Sequence, residues 1–265
     1  MDTSTVQSPH WASRTLNQIL SNWIQPEIDR RCRAGSQPGL DAVMMAQILF
    51  PVTDPNVVRL NDEVLGVATV RAVRAIEAGE QVLLSDLREM EAFDLIPEEL
   101  NNGHITIIRN PPGWFISFNA LCGRAACLEQ INHAEEFLDV ARFAFESGRM
   151  HAAIDTLFSC CEILGRARLS LRRSPAGQEE GANHKAIHSA LNLERKWGAV
   201  DPHFTKLYNW LSEHRSVARY RTQKGKALAM IGRHLALDPE SIEIVDRERD
   251  AIRLVAAPRV SSTAD

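Results

Sequence analysis

The stretch HFTKLYNWLSEHRSVARYR, from His203 to Arg221, decides how the C-terminal half of the chain folds. It spaces Phe204, Leu207, Leu211, His214 and Ala218 three and four residues apart, which makes them one stripe of a helix. Beside it runs a second stripe of Tyr208, Ser212, Arg215 and Arg219. A helix that buries one face and carries arginines next to it is part core and part binding surface. Working outward, Arg124 to Glu146 repeats Cys127, Ile131, Ala134, Leu138, Ala141 and Phe145 at alternating fours and threes. Met150 to Leu171 repeats Met150, Ile154, Leu157, Cys161 and Leu164, with Ala153 and Phe158 widening the face. Gly148 between them can take the left-handed conformation that ends a helix, and so short a loop makes the pair antiparallel. After the polar loop Arg172–Asn183, a helix is expected over His184 to Lys196, then the opening stretch, a break at Gly225 and a helix over Ala227 to Leu237. Asp238-Pro239-Glu240 is a helix start, with Asp as N-cap and Pro in the first turn, and the helix that follows carries Ile242, Val245, Ile252 and Val255.

Upstream the pattern differs. Trp11 to Arg33 reads as a helix with Trp11, Thr15, Ile19 and Trp23 on one face, kinked or restarted at Pro26. Ala42 to Phe50 is apolar throughout and fits either a short buried helix or a strand. Val57 to Leu60 and Val64 to Ile76 are valine-rich around an Asn61-Asp62 turn, which predicts antiparallel pairing of the two. Gln81 to Leu84 follows a Glu77-Ala78-Gly79 turn, and His104 to Ile108 with Trp114 to Phe118 flank Asn110-Pro111-Pro112-Gly113, the clearest hairpin in the chain. The expected fold is an α+β N-terminal domain with a small antiparallel sheet over residues 1–120, then an all-α bundle over 121–258 and a frayed tail over 259–265.

Composition narrows the functions. With 45% hydrophobic residues in 265, the chain can bury one large core or two ordinary ones. A formal charge of −4 offers no global attraction for nucleic acid, so such binding needs a local basic patch. No apolar run reaches the roughly 20 residues of a membrane span, and Met1 to His10 lacks the apolar core of a signal peptide, which predicts a cytoplasmic protein. The five cysteines are odd in number and lack paired metal-type spacing; adjacent Cys160 and Cys161 read as small buried hydrophobes.

Two phrases carry family resemblances. IEAGEQVLLSDL, Ile76 to Leu87, resembles the strand-turn-strand of SAF-type β-clip modules, although an ordinary β-turn also accounts for it. The order GRMHAAIDTLFSCCEILGRARLSL, NHKAIHSALN and LYNWLSEHRSVARYR is similar to the HEPN superfamily of helical bundles, over about Arg124 to Arg221. The similarity rests on A-x-x-x-x-F-x-x-x-E (Ala153, Phe158, Glu162), a histidine-bearing third helix, and R-x-x-A-x-Y (Arg215, Ala218, Tyr220). The resemblance implies a HEPN-like module, commonly dimeric, associated with RNA cleavage, toxin-antitoxin pairs, nucleotide transfer or defence. Catalytic members carry an Arg followed closely by a His, paired across two protomers for metal-free RNA cleavage. Arg215 matches the Arg, but SVARYRTQKGK follows it and the next histidine, His234, lies beyond Gly225.

The chemistry selects candidates on its own terms. Cleaving RNA without a metal needs a base, an acid and cations for the charge that develops on phosphate. Arg215, Arg219, Arg221, Lys224 and Lys226 can supply the cations, with Tyr220 either stacking on a base or closing the bundle. His184 and His188 are candidate catalytic histidines if the fold brings them near, whereas His214 points along the apolar stripe and reads as a packed core residue. Glu162 among apolar neighbours needs a partner, either Arg166 four residues on or Arg215. No cofactor motif is present, since there is no phosphate loop, nucleophile elbow or H-E-x-x-H, and His184 and His188, four apart on a helix, make only half a metal site with no carboxylate or Cys companion in the local sequence. The leading expectation is an interaction module binding RNA, a nucleotide or a partner protein, the last chosen by the N-terminal domain. A ribonuclease with a non-standard Arg/His site is the alternative. A homodimer is expected through the widened apolar face of Met150 to Leu171.

Overall fold

The computed structural model describes residues 10–35, 39–77, 79–82, 86–110, 113–171, 184–220 and 237–258. The expected helix Ala227 to Leu237 lies outside these except for its last residue, and the loop 172–183 and the tail 259–265 lie wholly outside. The chain forms two compact units: one of Met1–Ile96, Asn102–Ala120 and Pro258–Asp265, the other of Pro97–Asn101 and Leu121–Ala257.

The first unit opens with α1, His10–Ile19, which runs through a π-helical turn, Leu20–Ile24, into α2, Gln25–Arg33. Pro26 is the cause, because it has no N–H to give the preceding turn; the Gln25 N–H instead bonds back five residues to the Leu20 carbonyl. The wider turn puts Ile19, Ile24 and Ile28 on the buried face at spacings of five and four. Trp23 is thereby turned off the stripe expected of it and left half-buried.

These helices pack on a four-stranded antiparallel sheet, order β2-β1-β5-β6, of β1 Met45–Phe50, β2 Val57–Leu60, β5 Gly103–Asn110 and β6 Gly113–Asn119. The ambiguous Ala42 to Phe50 run is therefore a strand, and the Asn110/Gly113 hairpin forms with Asn110 opposite Gly113. The pairing expected across Asn61-Asp62 does not form. Asn61 takes a φ of 54°, its Oδ1 accepts the Met44 and Met45 N–H groups at 2.8 and 3.2 Å, and its Nδ2 donates to the Ala42 carbonyl. It thus ties β2 back onto β1, and β3, Val67–Ala72, pairs instead with β4, Leu87–Asp94, in a separate two-stranded sheet. Glu77–Glu80 does form a turn, with Glu80 N–H to Glu77 carbonyl at 3.0 Å. Of the strand expected over Gln81 to Leu84, Gln81 and Val82 are not in a strand and Leu83 and Leu84 lie outside the described residues; β4 begins at Leu87.

The second unit is helical: α3 Arg124–Glu146, α4 Met150–Ser170, α5 His184–Lys196, α6 Pro202–Tyr220 and α7 Pro239–Ala256. Gly148, at φ 68°, closes α3, and Arg149 N–H bonds to the Ala144 carbonyl at 2.8 Å. Asp238 caps α7 by accepting the Glu240 N–H, with Pro239 in the first turn. α4 is central and packs on α3, α5, α6 and α7. Its Ala153, Ile154, Leu157, Phe158, Cys161 and Leu164 are all buried. Each large apolar side chain among them contributes about 1.5–3 kcal/mol. The widened face on which the homodimer expectation rested is therefore consumed inside one chain. Gly165 lets α5 approach α4, since a Cβ there would lie 2.9 Å from Leu191 Cδ1. On α7 the buried face is Ile244, Val245, Glu248, Ile252 and Ala256; Val255, expected inside, is exposed. Burial pushes the Glu248 carboxyl up, against the Arg168 guanidinium that donates to it at 2.5 Å. No helix among the described residues is long and apolar enough to cross a membrane.

Candidate functional site

On α4, Asp155, Phe158, Glu162 and Arg166 fall at helical spacing on the face that meets α5 and α6. On α6 the second stripe, Tyr208, Ser212, Arg215 and Arg219, faces them. Between these helices opens a cleft of about 390 Å³ lined by Phe158, His184, Ser212, Arg215, Ser216 and Arg219.

Arg215 is held on two sides. Its Nε donates to Asp155 Oδ1 at 3.1 Å, and its guanidinium carbon lies 4.5 Å from the centre of the Phe158 ring. Arg219 Nε lies 3.5 Å from the other oxygen of the same carboxylate. With Nε committed to Asp155, the Nη pair is what Arg215 can offer to a ligand in the cleft. Arg215 does not pair with Glu162. That carboxylate accepts from Arg166 Nη2 at 3.0 Å and lies 2.8 Å from His184 Nδ1. Its partners therefore come from its own helix and from the first residue of α5. In the neutral ring with Nδ1 donating to Glu162, Nε2 of His184 is the acceptor nitrogen.

Beneath the cleft the rings stack. Phe158 and Tyr208 lie 5.6 Å apart at 19°, and His184 meets Phe158 edge-on at 5.7 Å. Phe158 is only 2% exposed, so no base can stack on it. Tyr208 is fully buried, and that burial, with the nearby Glu162 charge, pushes its phenol up. Among the described residues around the cleft, three arginines, 166, 215 and 219, face two carboxylates, 155 and 162, which leaves the cluster net positive.

The structure separates the candidates. Arg215, Arg219 and His184 share the cleft. His188 does not line it; its ring lies 6.3 Å from Tyr208. His214 is half-buried, donates Nδ1–H to the Trp210 carbonyl at 2.7 Å and stacks on that indole at 4.4 Å, as a packing histidine does. Arg221, Lys224 and Lys226 lie outside the described residues, as does the side chain of Tyr220. Asp155 and Ser216 were missed. Asp155 sits seven residues before Glu162 on one helical face, a signal that spacing alone could have flagged. No protein-family model, curated protein or solved structure matches the chain.

Proposed function

We propose that the helical unit is a HEPN-like interaction module that binds phosphate groups of RNA in the cleft between α4 and α6, in a defence or toxin-antitoxin setting. The observation that carries this reading is the Arg215 guanidinium, fixed by Asp155 and Phe158 while its Nη pair remains to meet an anion beside Arg219 and two serine hydroxyls. A planar fork prepared in this way suits phosphate, because little side-chain entropy is left to lose on binding. Phe158 is buried, so recognition through this cleft is of backbone phosphate and not of a base. The three phrases that resemble the superfamily support the reading too, since Phe158, Glu162, His184 and Arg215 gather in one cluster. In this proposal the first unit selects a partner protein, and the module works as a homodimer. Its contact must lie away from α4, and the exposed Val140 and Phe143 on α3 are apolar residues available for it.

The test compares single-stranded RNA binding and thermal melting for wild type, Arg215→Lys and Arg215→Ala at matched salt. Arg215→Lys is expected to melt near wild type and bind RNA more weakly. Arg215→Ala is expected to bind as weakly and also to lose about 1 kcal/mol of stability, at the low end of the range because Asp155 keeps Arg219. Unchanged binding in both variants rejects the site.

A metal-independent ribonuclease is the second reading, favoured by one observation: His184, oriented by Glu162, lines the same cleft as Arg215. His184 Nε2 would take the 2′-hydroxyl proton as that oxygen attacks phosphorus, Arg215 would stabilise the added charge, and the 5′-oxygen would leave with a proton from solvent. RNA recovered intact from the same titrations in chelator excludes it.

A further inference from the structure

We propose that the first unit carries a second, unrelated binding site, for a small uncharged planar aromatic molecule, in the cavity beneath the π-helical turn. The turn itself creates the space. A continuous α-helix would set Trp23 one turn beyond Ile19 on the core face, but the extra residue of the π turn hands that position to Ile24, which is fully buried. Trp23 is displaced to the edge, where it meets Phe50 edge-on at 6.0 Å. The sheet face below is left uncovered at this end. Register places Ile48, Ile105 and Phe118 side by side across three strands, and cover ends along that row: Ile48 is fully buried, Ile105 half-buried and Phe118 64% exposed.

The result is a cavity of about 390 Å³ lined by Ile19 and Trp23 from the helices and by Phe50, Ile105, Ile116 and Phe118 from the sheet. That volume falls within the range of small-molecule sites, roughly 300–1,000 Å³, and Trp23, Phe50 and Phe118 give it aromatic surface on which a ring can stack. The chemistry of the lining fixes the ligand's charge. Among the described residues, no Asp, Glu, Lys or Arg lines the cavity. His104, the one titratable residue of that lining, directs its ring to Thr106, with Nδ1 3.0 Å from Oγ1, and to Asp94, 3.7 Å from Nε2. A charged ligand would shed its hydration here without a counter-charge, which disfavours it against a neutral one. Exposed Thr15, Gln18 and Asn22 at the rim supply hydroxyl and amide groups able to orient a neutral one. A π turn in a helix is itself a frequent mark of a functional position, and here it borders the cavity directly.

The test uses N-phenyl-1-naphthylamine, a neutral aromatic probe whose fluorescence rises in apolar surroundings, with its sulfonated relative 8-anilinonaphthalene-1-sulfonate as the charged control. The full chain is expected to bind the neutral probe saturably at one site and the sulfonate at least about tenfold more weakly. Thr15→Trp, made at an exposed position of α1, and Ile116→Trp, made inside the cavity, are each expected to weaken the neutral probe by at least about tenfold by filling the space. Thr15→Trp decides the matter if Ile116→Trp fails to melt cooperatively. Absence of saturable binding, equal affinity for the sulfonate, or wild-type affinity in either folded variant overturns the site.

Discussion

Tyr208 shows what a single buried group contributes. It is fully buried, and its hydroxyl has no hydrogen-bond partner among the described residues, while its ring stacks on Phe158. A buried hydroxyl without a bond costs stability, whereas the ring supports the floor of the cleft. Tyr208→Phe is therefore expected to keep RNA binding and to gain up to about 1 kcal/mol in urea denaturation. A loss of stability in that variant would show that the hydroxyl is bonded after all. At this scale legibility depended on how many partners a residue could choose between. Arg215 could be picked out from the sequence as a candidate because it stands on a stripe of arginines beside a buried face, and the fold does place it in a cleft with Arg219 and His184. Its partner could not, because Asp155 and Glu162 share a helical face, and only the packing of α5 shows that His184 and Arg166 already satisfy Glu162.

Among the elements, α2 shows how a helix is fastened to a sheet edge. Glu27 accepts from Arg30 and Arg31, and Arg31 reaches across to Glu63 at 2.7 Å in the turn after β2. The Arg30 hydrogen bond, opposed by partial burial and aided by Arg31, holds the Glu27 carboxyl down at about 2 against an ordinary 4.5. A depressed carboxyl contributes stability that is fully present above the unfolded value and is lost as pH falls through the folded one. Glu27→Gln is thus expected to cost about 1–2 kcal/mol at pH 7, discounted because Arg30 is exposed and screened. The difference from wild type should shrink between pH 4.5 and about 2 and vanish below that. A difference that stays constant down to the lowest pH would mean the effect is packing, not charge. The hairpin at Asn110/Gly113, the end of α3 at Gly148 and the start of α7 at Asp238 were legible because each has a local cause, a turn residue or a cap. The pairing of β2 was not: it is set by Asn61 reaching Met45 of β1 and Met44 just before it, 16 and 17 positions away, which no local pattern encodes. The π turn was half legible, since Pro26 announces a break but the five-residue step from Ile19 to Ile24 matches no regular period.

For the whole molecule, a small antiparallel sheet region followed by helices was legible in the change from valine-rich alternation to spacings of three and four near residue 120. Assembly was less so. The surplus apolar face of α4 suggested a second copy, but α4 is the central helix and neighbours from its own chain cover it. A sequence cannot distinguish an interior helix from an interface helix when both are apolar on a wide face.

The central claim, that Arg215 and Arg219 present a phosphate site, is tested most directly by the salt dependence of RNA binding. Affinity of a labelled single-stranded RNA would be measured across a range of monovalent salt for wild type and for Arg215→Gln/Arg219→Gln, with melting curves recorded in parallel. Each phosphate contact contributes a slope of about 0.7 in the logarithm of affinity against the logarithm of salt. Loss of both arginines is expected to reduce the slope by roughly 1–1.5 and to weaken binding uniformly across RNA sequences. A double variant that melts like wild type and keeps both its affinity and its slope would contradict the account.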